Sequence, residues 1–165
     1  MDHFILIHWY DSIYVYIDDD PTKKENYIDS LTDSSNKIIW GLNGMIITSN
    51  HRDIKGEFSI NHARILTLEN NNEIKEKNIL IGHEHSITLI GLSERSYFYK
   101  NSPNETFLML ITGDIYGNVN FWKVFNYSKI EKYCFISNLA DASFSSITFD
   151  KTGQFVYLSN ITGIT

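Results

Sequence analysis

Two histidines one residue apart, in Gly82-His83-Glu84-His85, carry the clearest metal chemistry in the chain. On a strand the two imidazoles of a His-x-His pattern face the same way and can share a metal ion. No second His/Cys cluster completes such a site. Asp18, Asp19 and Asp20, followed by Pro21, bring enough charge for a hard cation, but three acids before a proline also make an ordinary solvated turn. The nucleophile elbow Gly-x-Ser-x-Gly is absent, and so are the glycine-rich loops that cradle phosphates. No spacing singles out two carboxylates as an acid and a base. The one cysteine, Cys134, cannot form an internal disulfide and fits a reducing compartment. Within KYCFI it reads as a small apolar strand residue. The expectation is therefore no catalytic residue, no cofactor and no bound metal.

The setting narrows the classes further. Net charge is −6 and the pI about 5.4, with no long basic run. Duplex nucleic acid selects a concentrated positive face, so a dominant phosphate-binding role is disfavoured. The apolar run from Phe4 to Ile17 is broken by His8, Asp11 and Ser12, and Met1-Asp2-His3 lacks a positive n-region. It is read neither as a signal peptide nor as a membrane span. Asn104, Asn126 and Asn160 each open an Asn-x-Ser/Thr triplet, read as accidental without a secretory signal. An intracellular protein, cytoplasmic or nuclear, is expected.

The elements that position these residues are strands. The chain is 42% hydrophobic and 14% aromatic, rich in the branched and aromatic side chains that suit a pleated surface. Phe4 to Ile17 predicts two strands hinged near Asp11-Ser12. Lys37 to Leu42 and Met45 to Asn50 flank Asn43-Gly44, a dipeptide that tolerates the positive φ of a tight hairpin. A polar stretch from His51 to His62 interrupts the pattern. Arg64 to Glu69 and Asn78 to Gly82 follow as strands around the polar NNNEIKEK. A second polar loop is expected from Ser93 to Glu105. The segments FLMLITGD and NVNFWKV meet at Tyr116-Gly117, and SSITFD and FVYLSN meet at Lys151-Thr152-Gly153. Short strands, polar turns and no helical segment predict an all-β fold.

Self-similarity then gives the fold a more specific form. Ile81 to Val124 runs IGHEHSITLIGL, a loop, FLMLITGD, then YGNVNFWKV. This resembles a WD-repeat, with Gly-His, a strand, a hairpin and a closing Gly-x-Val-x-x-Trp. Weaker copies flank it: Asn36 to Glu69 lacks the Trp, Phe4 to Asp18 has Tyr16 in its place, and Ala-Asp-Ala stands for Gly-His before Ser145. The resemblance implies a partial β-propeller of four-stranded antiparallel blades. It divides the chain into a partial blade at 1–20, a blade at 36–80 with an insertion at 51–62, a blade at 81–133 and a partial blade at 134–165. In the family, the His of Gly-His bonds to an Asp in the turn before the last strand, and a hydroxyl and the Trp extend the network. By position this implies His83, Thr112 and Trp122. The expected Asp position holds Tyr116, with Asp114 two residues earlier as the substitute. An incomplete network is expected, leaning on packing by Leu108, Leu110, Phe121 and Trp122.

The function implied is a non-catalytic scaffold serving a larger multiprotein assembly. Two other classes stay open: a propeller-fold hydrolase, since propellers can host active sites, and a single-strand RNA-binding module using Tyr and Phe stacking. Binding residues concentrate on loops held by a rigid scaffold. The two long connections therefore nominate Arg52, Lys55, Arg95, Tyr97, Phe98, Tyr99 and Lys100 for partner contact. Propellers close with about four to eight blades of about 40 to 45 residues. Only about two whole units and two halves are legible, so the chain is expected to be a fragment, a partial propeller completed by another chain, or a small open array.

Overall fold

The computed structural model describes residues 4–9, 12–17, 24–28, 38–40, 45–52, 58–68, 74–99, 102–126, 128–160 and 163–164. Among them there is no helix, and the chain is all-β. Four open antiparallel sheets follow one another along the sequence. The first holds β1 (Phe4–Trp9), β2 (Ser12–Ile17) and β3 (Lys24–Ile28). The second holds β4 (Ile38–Trp40), β5 (Met45–Arg52), β6 (Phe58–Leu68) and β7 (Ile74–Ile81). The third holds β8 (Ile87–Tyr99), β9 (Ser102–Asp114), β10 (Val119–Val124) and β11 (Ile130–Ile136). The last holds β12 (Ser146–Phe149), β13 (Val156–Asn160) and β14 (Gly163–Ile164). Within every sheet, strand order follows chain order, so each strand pairs with its neighbour in sequence.

The third sheet is the centre of the described core, because its strands are apolar on both faces. Leu108, Leu110, Trp122 and Val124 pack with Met45, Ile47, Ala63 and Ile65 of the second sheet. Ile111 and Val119, one residue out of phase, pack with Phe144 and Leu158, and Phe121 is half-buried there beside Ile147. Alternation at period 2 sends successive side chains to opposite faces, so one strand serves two cores. The third sheet is thus layered face to face between its two neighbours, with β8 against β5 on one side and against β12 on the other.

Several elements differ from the sequence expectation. The expected insertion at 51–62 is strand where it is described: β5 continues to Arg52 and β6 begins at Phe58, with Arg52↔Phe58 in register. The described residues of the expected loop from Ser93 to Glu105 form a ribbon, pairing Ser96↔Leu108, Tyr97↔Phe107 and Phe98↔Thr106. Its alternating aromatic residues supply the packing that its polar residues had masked. The polar NNNEIKEK stretch gives way at Ile74 to β7, an edge strand on which Lys75, Glu76 and Lys77 are exposed. Charge suits such an edge, where it discourages pairing with other chains. Lys24–Ile28, with little strand preference of its own, is recruited by pairing with β2, since partner context outweighs propensity. The Asn43-Gly44 turn lies outside the described residues, as do the acidic residues 18–20 and the hinge position Asp11. The strands beside the first pair as Ile39↔Ile47, and β1 and β2 pair as Trp9↔Ser12.

Candidate functional site

The site forms where the connection from β7 to β8 meets the turn from β9 to β10. Gly82 begins that connection. A Cβ on it would lie 2.9 Å from Cη2 of Trp122, so glycine lets the indole press against the main chain. Two amides hold the bend: Asn120 Nδ2 donates to the Gly82 carbonyl at 2.9 Å, and Asn61 Nδ2 donates to the His83 carbonyl at 2.9 Å. Thr112 on β9 and Trp122 on β10 point from the same face as Leu110, which brings both side chains to His83.

Four buried side chains then form one chain of hydrogen bonds. Trp122 Nε1 donates to Thr112 Oγ1 at 3.0 Å. Thr112 Oγ1 and His83 Nε2 are 2.8 Å apart, and His83 Nδ1 lies 3.3 Å from Asp114 Oδ2. Only one arrangement of protons satisfies every member. The Thr112 hydroxyl donates to Nε2, leaving the proton on Nδ1 to face the carboxylate. The other tautomer would aim an imidazole lone pair at Asp114.

Burial lowers the pKa of His83, and the Asp114 hydrogen bond offsets this only in part, so the ring is held neutral. For Asp114, burial acts to raise the pKa but is outweighed by its donors, and the carboxyl sits below its ordinary value. These donors are the Asn118 amide at 3.1 Å, the Asn118 side chain at 2.9 Å, the Tyr116 amide at 2.9 Å and the His83 ring. The carboxylate thereby ties the turn together. Gly117 completes the turn at φ +75°, with its carbonyl accepting from the Leu139 amide. A Cβ there would stand 2.2 Å from the Ala140 carbonyl oxygen.

Asp114, His83 and Thr112 have the connectivity of an orienting acid, a base and a nucleophile. Their surroundings forbid that use. Thr112 is fully buried, its hydroxyl is occupied by both Trp122 and His83, and no approach remains for a substrate carbonyl. A depression of about 340 Å³ beside the network is lined by Glu84, Lys132 and Phe135, but it reaches the outer rim of His83 and Asp114, not Thr112. The site can hold two sheets in register.

His83, Thr112, Asp114 and Trp122 come together, and Asp114 makes the network complete where an incomplete one was expected. The turn it closes precedes β10, the third strand of its sheet, not the last. Leu108, Leu110 and Trp122 share one core, whereas Phe121 faces the other. Both ring nitrogens of His83 are engaged, and His85 packs edge-on against Tyr116 at 4.4 Å, so the two rings have different partners. Arg95 and Phe98 are exposed, while Tyr97 and Tyr99 are half-buried on the ribbon. Arg52 ends β5, and Lys55 and Lys100 lie outside the described residues. Cys134 is half-buried on β11, where burial pushes its thiol pKa up. Sequence reasoning passed over Asn61, Asn118 and Asn120. An asparagine set between Val119 and Phe121 in an otherwise apolar run is the sequence signal for the last of them, which the structure buries fully.

No helix among the described residues is long and apolar enough to cross a membrane. Compared with protein-family models and with curated proteins, the chain matches none.

Proposed function

We propose that this chain is a WD-repeat-like propeller segment acting as a non-catalytic platform for protein partners in an intracellular assembly. The observation that carries this reading is the buried network of His83, Thr112, Asp114 and Trp122 at the junction of two stacked antiparallel sheets. It spends groups capable of chemistry on rigidity, and a rigid stack with exposed ends is what a binding platform requires. In this reading the partner face lies at the end of the third sheet beside the network. Tyr116 is 55% and Phe135 50% exposed there, next to Ile115 and Ile136, and aromatic anchors of this kind dominate interface energetics. Further blades or a partner chain cover the last sheet, whose outer residues Phe155 and Tyr157 are exposed. The hydrolase alternative is weakened by the inaccessibility of Thr112. The RNA alternative is weakened by net negative charge, and by the engagement of Lys123, Lys129 and Lys132 over ring faces.

The test is native purification of the tagged chain from its source. A stoichiometric protein partner that survives nuclease treatment, and is lost from a Tyr116→Ala/Phe135→Ala variant of unchanged melting temperature, is the expected result. Hydrolysis of model esters or phosphoesters that disappears in Thr112→Val would overturn the reading.

A further inference from the structure

We propose that the hollow between the third and last sheets binds a small amphipathic carboxylate, an apolar chain or ring that carries one carboxylate group. The hollow measures about 480 Å³, and every residue that lines it is described. Pockets for small molecules span about 300–1,000 Å³. Its walls are β8, and β12 with the turn that follows it, and each strand is the edge of its own sheet. The walls touch at one end and are tied at the other. At the first, Gly91 lets Ile147 close over the main chain, since a Cβ there would stand 2.5 Å from Ile147 Cγ2. At the second, the Tyr97 hydroxyl donates across to the Gly153 carbonyl at 2.7 Å.

A β-bulge shapes the wall between these two contacts. Leu92 pairs with Leu110 and Ser96 with Leu108, so Ser93, Glu94 and Arg95 stand opposite Met109 alone. Hydrogen bonds hold the bulge in one form. Met109 donates its amide to Ser93 Oγ at 2.9 Å, and that hydroxyl donates to the Arg95 carbonyl at 2.9 Å. Ser93 itself is buried. Bulges re-aim side chains beside binding sites. This one brings exposed Glu94 and Arg95 to the mouth of the hollow.

The lining selects the ligand. Leu92, Ile147 and Phe149, each half-buried, face the hollow together with buried Ile90, so the body of the ligand is apolar. Four charges line its mouth. Asp150 is spent on its own turn, accepting from the Thr152 and Phe155 amides at 2.9 and 2.8 Å and from the Thr152 hydroxyl. Glu94, Arg95 and Lys151 are exposed and have no ion-pair partner among the described residues. One positive charge is left over among these three, which matches a carboxylate and not the dianion of a phosphate ester. The Arg95 guanidinium offers the paired N–H groups that take both oxygens of a carboxylate. An extended peptide is a poorer fit, because the contact of Gly91 with Ile147 leaves no width for a strand between β8 and β12.

The experiment titrates the full chain with sodium decanoate below its micelle concentration, followed by calorimetry and by amide NMR, with decanol and decylamine as controls. Decanoate should bind one to one and shift the amides of Leu92 to Arg95 and of Thr148 to Lys151. Decanol and decylamine should bind at least tenfold more weakly. The double variant Arg95→Gln/Lys151→Gln, changed only at exposed positions, should lose at least tenfold in decanoate affinity at an unchanged melting temperature. Thr148→Trp, which fills the hollow, should abolish binding. No binding of decanoate, equal binding of decanol, full affinity in the double variant, or shifts confined to the face of Tyr116 and Phe135 overturns the proposal. The platform reading is tested by partner capture, so a failure of decanoate with the partner retained strikes this inference alone.

Discussion

Thr112 has a single hydroxyl and two neighbours that depend on it. It accepts the indole proton of Trp122 and donates to the imidazole of His83, which donates in turn to Asp114. Removing the hydroxyl strands an indole N–H and an imidazole nitrogen in the core. Each such orphan costs about 1–3 kcal/mol. Thr112→Val should therefore lose roughly 2–4 kcal/mol in urea unfolding, and Thr112→Ser, which keeps the hydroxyl, clearly less. Equal losses in the two variants would show that shape and not hydrogen bonding holds the junction. Acid should act on the same residues. Burial holds the folded pKa of His83 below its unfolded value of about 6.5, so below that pH the unfolded chain takes up a proton that the fold refuses. Stability is full above that value and falls as pH drops through it. Asp114 adds a second loss at lower pH. Its stabilisation is present above about 3.9 and disappears as pH falls through the lower folded value. Urea midpoints at pH 7.5 and 5.5 should separate in the wild type and draw together in His83→Gln. A separation unchanged in the variant would assign the acid sensitivity elsewhere, for instance to His62, whose pKa is also lowered by burial. At this scale His83 and Trp122 were legible from their motif. Asp114 was visible only as a substitute two places early, because spacing does not reveal how a turn folds its carboxylate back.

Among the elements, the ribbon shows why composition misleads. Ser93 to Glu105 contains Ser, Glu, Asn and Pro, the residues of a loop. Yet Tyr97, Tyr99 and Phe107 recur on one face, and their packing on Phe125 and Gly153 outweighs the local preference. The period-2 signal was present but short. Its support came from residues more than 50 positions away in sequence at Gly153, which no local window includes. The same holds for β7 and β3, where charged segments become strands because a neighbour supplies backbone partners. By contrast, the strands from Met45 to Asn50 and from Val119 to Val124 were plain in the sequence. Both send apolar side chains into the described cores, so local pattern and tertiary demand agree.

For the molecule as a whole, adjacent residues belong to different cores: Leu110 packs toward the second sheet and Ile111 toward the last. Both are fully buried, and truncation to alanine at such positions costs about 2–5 kcal/mol. If the sheets fold as one cooperative unit, Leu110→Ala and Ile111→Ala should each lower a single unfolding transition, coincident by far-UV circular dichroism and by tryptophan fluorescence. Two separated transitions, each shifted by only one substitution, would mean that the cores melt independently. The sequence alone determined the all-β class and the hairpin order, because alternation and turn residues act between near neighbours. It also marked His83, Thr112 and Trp122 for a shared role. Tertiary structure alone decided that Asp114 completes their network and that the Ser93–Glu105 segment is a braced ribbon. It also decided that Phe98, unlike Tyr97, faces solvent. Those outcomes depend on which distant side chains converge in space, and burial and hydrogen-bond direction become defined only once they do.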